Sequence, residues 1–219
     1  MPRTITVRGT GKISAKPDQI SVSLTVEAKD PDYAAAMEKA DRDADAISRA
    51  VREAGIEDDA LRMANFNVRA DYESVHDEHG NWKNVFAGYA VTRTYALLFP
   101  LDADVLCALL GGIGASEASP QLSVSFVLSD PEKAKRDALE DAVRDAREKA
   151  ELLARASGCE LGTLLSVEYS VAHRDTVSAT SFAADEAAMP RMAKGAFRMN
   201  AAPQDIEIAD NAVFTWEIR

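Results

Sequence analysis

The sequence predicts an α+β protein with antiparallel sheets, a βαββαβ-like core, one long alanine-rich helix and further strands near the C-terminal end. Apolar and polar residues alternate strictly from Ile20 to Ala28, which is typical of a half-buried strand. From residue 20 to 128 the patterns follow the order strand, helix, strand, strand, helix, strand. This order is the split arrangement of ferredoxin-like folds, and it says nothing by itself about function.

The N-terminal segment is predicted to form two strands. Ile5 and Val7 begin the first alternation, and Gly9 and Gly11 predict a bend or bulge, because glycine tolerates backbone angles that other residues resist. Pro17 cannot donate to a ladder and therefore marks the start or edge of the second strand. The glycine pair could also belong to a phosphate-binding loop, but such loops precede a helix, whereas a strand follows here.

The first helix is predicted to open at Asp30-Pro31, because aspartate caps free amides and proline at the first helical position sacrifices no hydrogen bond. It is expected to end at Gly55. Asp41, Asp43 and Asp45 lack the glycine turn and terminal glutamate of a calcium loop, so we expect a solvated face. The apolar stripe recurs at steps of four and three: Tyr33, Met37, Ala40, Ala44, Ile47, Val51 and Ala54.

Two alternating segments, 64–72 and 89–99, predict an antiparallel hairpin. The polar segment Glu73–Asn84 is expected to be its connection. Arg93 interrupts an apolar face of the second strand. We therefore expect Arg93 near a sheet edge or a subunit contact, with its aliphatic stem packed and its head in water.

The long alanine-rich helix has clear end signals. Ser129 answered by Glu132 fits a capping box, and Gly158 is placed for the C-terminal cap. At 1.5 Å per residue the helix is a rod of roughly 40 Å. Its small apolar residues permit close approach, so we expect it to lie across a sheet.

The remaining elements are shorter. A helix is predicted from about Asp102 to the glycine pair 111–112, and a strand over 122–128 completes the βαββαβ core. Two more strands are predicted near 164–171 and 206–218. Asp210-Asn211 predicts a bulge or turn within the last one.

Residues 172–203 form the least regular stretch of the chain. They hold Met189, Met192 and Met199 among many alanines, with no clear periodicity. A connection of this length is unusual inside a compact domain. We expect a flexible insert, or one that docks on a neighbouring subunit through its methionines and phenylalanines.

Composition excludes several partners and bounds the location. The 219 residues are enough for one elaborate domain or two small lobes. A formal charge of -11 argues against nucleic acid, whose binding depends largely on lysine and arginine. No apolar run could span a bilayer, and the first residues lack the apolar region of a signal peptide. We therefore expect a cytoplasmic chain, or a periplasmic or secreted one if an export signal was removed.

Cys107 is expected to be buried, and its pairing with Cys159 is left open.

Several motifs together resemble a known family. Val7-x-Gly-x-Gly11, Lys16-Pro17-Asp18, Gly88-Tyr89 and Leu153-Ala154-x-x-x-Gly158 occur in this order. The chain resembles the SIMPL domain, a bacterial domain of unknown function, over nearly its whole length. The resemblance implies an α+β protein of two linked lobes. It also implies kinship with periplasmic or outer-membrane-associated immunogenic proteins, of which some form rings and some are connected with oxidative-stress tolerance.

The resemblance sets the predicted domain organisation. Residues 1–219 are expected to form a single SIMPL-like domain. Its sub-lobes would be 20–128, with the βαββαβ core, and 1–19 plus 129–219, with the insert 172–203. The family has no established catalytic residues, so none is carried over. The chain departs from the family in lacking a signal sequence and in having Asp41 where asparagine is expected.

One segment could carry metal chemistry. His76, Asp77, Glu78 and His79 place two imidazoles and two carboxylates together, and these are ligands that divalent metals accept. The spacing is not His-Glu-x-x-His, and the segment is expected on a hairpin tip. No catalytic or cofactor-binding motif is present. The leading hypothesis is therefore a non-enzymatic, homo-oligomeric protein, linked by family resemblance to stress tolerance. The alternative is a small-ligand or metal-binding module at this tip.

Overall fold

A computed structural model describes residues 3–76, 81–116, 118–170, 176–184 and 202–219. The elements confirm the predicted α+β class, with three helices and eight strands in this part of the chain. The helices are α1 (Tyr33–Glu53), α2 (Ala103–Gly114) and α3 (Pro131–Ala156), and a 3-10 turn spans Asp58–Ala60. The strands are β1 (Thr4–Ala15), β2 (Gln19–Asp30), β3 (Leu61–His76), β4 (Trp82–Pro100), β5 (Gln121–Val127), β6 (Leu161–Glu168), β7 (Val177–Ala184) and β8 (Ile206–Ile218).

The larger sheet contains the predicted βαββαβ core. Its strand order is β3-β4-β2-β5-β7, and the first four strands have the order expected for a ferredoxin-like arrangement. Helices α1 and α2 belong to the same unit, which comprises Gln19–Phe126 and Thr180–Ala202. A core of buried apolar residues from β2, α1, β4, α2 and β5 fills it. Strand β7 lies within the stretch predicted as an insert, where the sequence showed no periodicity.

The smaller sheet has the order β1-β8-β6, and α3 packs on it. These elements belong to a second compact unit, which comprises Met1–Asp18, Val127–Ala179 and Pro203–Arg219. Strands β1 and β8 pair antiparallel from Thr4 with Glu217 to Ala15 with Ile206, without a register shift. The predicted bulge at the glycine pair and the predicted interruption at Asp210-Asn211 are therefore wrong.

The glycine pair of β1 serves close packing instead of a bend. A Cβ atom on Gly9 would lie 2.0 Å from the carbonyl oxygen of Ala142, and one on Gly11 would lie 1.8 Å from that of Ala138. Only glycine permits this approach of the strand to the helix backbone. The helix contributes a row of alanines that are all buried: Ala134, Ala138, Ala142, Ala146, Ala150 and Ala154.

The helix starts differ from the predicted ones by one or two residues. Asp32, and not Asp30, caps α1 and accepts a hydrogen bond from the amide of Ala35 at 3.0 Å. Asp130 caps α3, so the predicted capping box at Ser129 is wrong. Ser129 instead donates its amide to Asp18 at 2.6 Å. At each start a second capping residue lies close by, because Asp32 follows Asp30 by two positions and Asp130 directly follows Ser129, and pattern alone does not choose between them.

Candidate functional site

One face of the β3–β4 hairpin carries exposed aromatic side chains, which we call the hairpin surface: Tyr72, Trp82 and Phe86. Val75 and Val85 are exposed on the opposite face. Trp82 is 70% exposed and Tyr72 is 59% exposed. Tyr72 is paired with Phe86 across the strands, and their rings meet edge to face at 5.9 Å. Phe86 contacts Tyr89 in the same way at 5.3 Å, and Tyr89 contacts Tyr33 at 5.5 Å.

The row of rings shows why this surface is open. Tyr33 is the first residue of α1, so the helix covers the sheet only up to that point. Beyond it, Phe86 and Tyr72 extend the row without a covering helix in the described residues. Aromatic side chains with this much free area are enriched in protein interfaces.

The hairpin is longer than predicted. Cross-strand pairs continue through Glu73 with Val85 and Ser74 with Asn84 to His76 with Trp82. The hydroxyl of Ser74 donates to Asn84 Oδ1 at 2.7 Å. The prediction of a polar connection over Glu73–Asn84 is therefore wrong. The segment is polar because both faces of the hairpin are exposed here, and not because the chain leaves the sheet.

The metal candidate lies at the end of this hairpin. The imidazole of His76 stacks on the ring of Trp82, with centroids 3.9 Å apart and planes tilted by 39°. Asp77, Glu78 and His79 lie outside the described residues. Within the described ranges, no group of three or more His, Cys, Asp or Glu side chains is arranged to hold a metal ion. A metal site at this tip stays a prediction.

A second apolar surface, the β6 surface, lies on an edge strand and directly after it: Leu164, Leu165, Val167 and Tyr169. Each of these side chains is about half exposed, Leu165 at 51%. In the described sheet β6 pairs only with β8, so its other edge has no strand partner. A pocket of about 360 Å³ adjoins it, lined in part by Leu161, Leu164, Phe214 and Trp216.

The opposite edge of the same sheet is protected. The amide of Thr10 in β1 donates to Asp145 at 2.7 Å, and the amide of Lys12 donates to Asp141 at 3.0 Å. Both carboxylates come from α3. Hydrogen bonds from Lys149 and from the Thr10 amide lower the pKa of Asp145. Carboxylates that occupy edge amides block pairing with another strand, so α3 protects the β1 edge at Thr10 and Lys12, whereas the outer edge of β6 has no strand partner in the part of the chain that the structure describes.

Arg93 lies on the helix-covered face of β4, contrary to the predicted edge or subunit contact. The residue is 8% exposed, and its guanidinium is 2.6 Å from Asp41 of α1 and 5.4 Å from the centre of the Phe66 ring. Burial opposes the charge, but hydrogen bonds to Asp41 and Tyr95 offset it and raise the pKa of Arg93. Its Nε is buried without a partner in the described structure. Asp41 is thus an ion-pair partner.

A groove of about 740 Å³ lies between α1 and the end of β2, and we call it the α1 groove. Cations from α1 dominate its wall: Lys39, Arg42, Arg49 and Arg52. Asp43 and Asp45 also line it, and burial raises the pKa of Asp43. A concentration of cations is unexpected on a chain with a formal charge of -11.

The β2 wall of the α1 groove includes Glu27 and Lys29, which form a charge network with β3. Arg69 donates to Glu27 at 2.9 Å, and Lys29 lies 3.1 Å from Asp71. The hydrogen bond to Asp71 is the main reason that the pKa of Lys29 is raised. These four charges neutralise one another, so the remaining cations of the α1 groove are those of the helix, of which Lys39 pairs with Asp30.

Comparison with known proteins decides the family. The model of the SIMPL family, described as a protein of unknown function (DUF541), matches residues 5–216. The chain belongs to the SIMPL family. The resemblance inferred from the sequence motifs is confirmed. None of the helices in the described residues is long and apolar enough to cross a membrane.

Relatives of this SIMPL-family protein include three of known origin. An uncharacterized protein YggE from Edwardsiella ictaluri is 28% identical over 172 residues, which are 78% of this chain and 70% of that protein. YggE from Escherichia coli K12 is 26% identical over 169 residues, 77% of this chain and 66% of that protein. A 26 kDa periplasmic immunogenic protein from Brucella melitensis is 26% identical over 168 residues, 76% of this chain and 66% of that protein.

Of these names, only that of the Brucella protein states a location, the periplasm, and none states a chemical activity. The names give no support to the cytoplasmic location expected from the sequence. Among solved structures, the regulatory subunit of aspartate kinase from Thermus flavus matches over 97% of this chain and 90% of that one. Its 9% identity and TM-score of 0.18 support no argument about fold or function.

Sequence reasoning missed both surfaces and the groove. The β6 residues were predicted as an ordinary strand, because an alternating pattern does not show whether a neighbouring strand covers the edge. Lys39, Arg42 and Arg49 follow one another at spacings of three and seven residues, which places the three cations on one helix face. This spacing could have predicted the basic wall of the groove. Aspartates lie between these cations in the sequence, so the helix has no run of basic residues.

Proposed function

We propose that this SIMPL-family protein is non-enzymatic and assembles with copies of itself through the β6 surface and the hairpin surface. The observation that carries the proposal is the contrast between the two edges of the smaller sheet. Carboxylates of α3 bind two edge amides of β1, while the outer edge of β6 has no strand partner among the described residues and carries four half-exposed apolar side chains. An open apolar edge is a template for pairing with another chain.

The energies indicate that both surfaces are needed. Burying the remaining half of one such side chain contributes about 1 kcal/mol, so the β6 surface supplies roughly 4 kcal/mol per copy. Association costs on the order of 4–15 kcal/mol, because the chains lose translational and rotational freedom. Strand pairing at β6 and burial of the aromatic hairpin supply the surplus. Loss of either surface is therefore expected to weaken the assembly strongly.

The proposal extends to location. We place the assembly in the bacterial periplasm, because the Brucella relative carries a periplasmic name. The proposal includes a role in stress tolerance, which rests on the family resemblance alone.

Sedimentation velocity over a range of protein concentrations tests the proposal. The variant Leu165→Lys with Val167→Lys changes two exposed β6 side chains and should shift the protein to monomer, because buried lysines would stay unpaired at the interface. Leu152→Lys on α3 is the matched control, since Leu152 is 62% exposed and lies off both surfaces. The control should assemble like wild type. Equal sedimentation of all three proteins would reject the β6 surface as a contact.

A further inference from the structure

We propose that the α1 groove binds an extended acidic peptide segment of another protein, which adds as a strand to the free end of β2. The inference goes beyond self-assembly, because none of the groove residues belongs to the β6 surface or the hairpin surface. It rests on two features of one place: an uncovered stretch of main chain and a row of cations facing it.

The uncovered main chain lies at the end of β2. Strand β2 has 12 residues, whereas its neighbour β5 has 7. Gln121 begins β5 and lines one cavity with Ser23 and Thr25, so β5 starts beside the middle of β2. From Glu27 onward, no described strand lies on that side of β2. Main-chain groups of an edge strand are the basis of peptide recognition by strand addition.

The cations stand opposite this edge. Lys39 reaches β2 directly, because its ammonium donates to the carbonyl oxygen of Lys29 at 3.2 Å and pairs with Asp30. An added strand therefore has to displace this ammonium from the Lys29 carbonyl, and an acidic side chain of the peptide can then take the ammonium as its partner. Arg42 and Arg49 form no ion pair within the described part of the chain. Their guanidinium groups are suited to bidentate binding of carboxylates.

The spacing of the cations matches an extended acidic chain. Lys39 and Arg49 are separated by ten residues of helix, or about 15 Å. Three carboxylates at alternate positions of a strand span about 13 Å. Asp43 and Asp45 also line the groove and oppose an anion there. Burial raises the pKa of Asp43 and Arg42 opposes that rise, so an acidic ligand has to compete with this carboxylate for Arg42.

Main-chain recognition distinguishes a peptide from a free polyanion. Inorganic triphosphate could satisfy the arginines, but it would leave the edge of β2 uncovered. A strand with alternating carboxylates satisfies both features at once. The chain's net charge of -11 disfavours any acidic ligand at long range, so binding has to arise from the local geometry of the groove.

The test measures binding of a fluorescein-labelled peptide in which glutamate alternates with valine. Wild-type protein should bind it, and Arg42→Ala with Arg49→Ala should weaken binding about tenfold. The matched control is Arg136→Ala with Arg155→Ala, which removes two exposed arginines of α3 and should change affinity by less than about twofold. Circular dichroism and thermal unfolding of each variant show that the fold is retained.

Two further arms test strand addition. Two proline peptides, one with proline at the central valine and one with proline at the glutamate beside it, each remove an amide from one edge of the added strand. The peptide whose missing amide faces β2 should lose binding. Hydrogen exchange of residues 27–30 should slow when the valine peptide is bound. The proposal would be overturned by absence of binding to wild type, by equal loss in both double variants or by unchanged binding of both proline peptides. Binding of inorganic triphosphate without binding of the peptide would do so too.

Discussion

Replacement of Gly11 by alanine tests the contact between β1 and α3. The new Cβ would lie 1.8 Å from the carbonyl oxygen of Ala138 and 2.5 Å from the amide nitrogen of Ala142. Both are backbone atoms, so no side-chain rotation relieves the overlap. Ordinary van der Waals contact begins near 3.4 Å, so the helix has to move away by roughly 1.6 Å at this point.

The displacement disturbs several interactions together. It loosens the buried alanine row of α3 and lengthens the hydrogen bond from the Lys12 amide to Asp141, which is 3.0 Å in the wild type. Overpacking a core costs about 1–3 kcal/mol, and a forced backbone shift places this case at the upper end. We expect Gly11→Ala to lower the free energy of unfolding by roughly 3 kcal/mol, or to shift the urea midpoint by more than about 1 M.

Urea unfolding followed by the fluorescence of Trp216 measures the loss. Trp216 is buried in the core of the same unit, and a Trp82→Phe background removes the other tryptophan. Gly158→Ala is the control: Gly158 has a φ of +71° and an added Cβ would meet no atom within 4 Å, so only backbone strain of about 1 kcal/mol is expected. A loss in Gly11→Ala no larger than in Gly158→Ala would refute the close-packing explanation.

Three other outcomes follow from the described contacts. Asp41→Ala should cost roughly 1–2 kcal/mol in urea unfolding, discounted because Asp41 is 61% exposed, while Asp45→Ala on the same helix should be near neutral. The hydrogen bond from Ser129 lowers the pKa of Asp18 in the folded protein. The ionised carboxylate therefore stabilises the fold at pH values above the pKa of Asp18 in the unfolded chain, and this stabilisation is lost as the pH falls through the pKa of Asp18 in the folded protein. Asp18→Asn should therefore destabilise at pH 7, and the difference from wild type should shrink in acid; a constant difference would contradict this. Zinc should leave the melting temperature unchanged if the hairpin tip holds no metal, and a rise abolished by His76→Ala would favour the alternative function.

The fold was largely predictable because its information is local. Alternation from Ile20 to Ala28, the stripe of α1 and the alanine row of α3 each determine an element, and their order determines the βαββαβ core. Errors arose where two local signals compete. Asp32, two positions after Asp30, caps α1 in its place. A glycine pair that looked like a bend is a packing site, because the contact that requires glycine comes from a helix more than a hundred residues away.

The candidate surfaces were less predictable for a related reason. Exposure of Leu165 or Trp82 depends on which elements fail to cover them, and a single sequence pattern does not report a missing neighbour. The ion pair of Arg93 with Asp41 illustrates the same limit. Each residue is unusual alone, and only the packing of α1 on β4 brings the two charges together.

Native mass spectrometry of the wild-type protein tests self-assembly most directly. The proposal predicts species at whole-number multiples of the 23.6 kDa chain, which persist on dilution into the micromolar range. It also predicts that Leu165→Lys with Val167→Lys removes them while Leu152→Lys does not. A wild-type spectrum that contains only the monomer at the highest attainable concentration would contradict it.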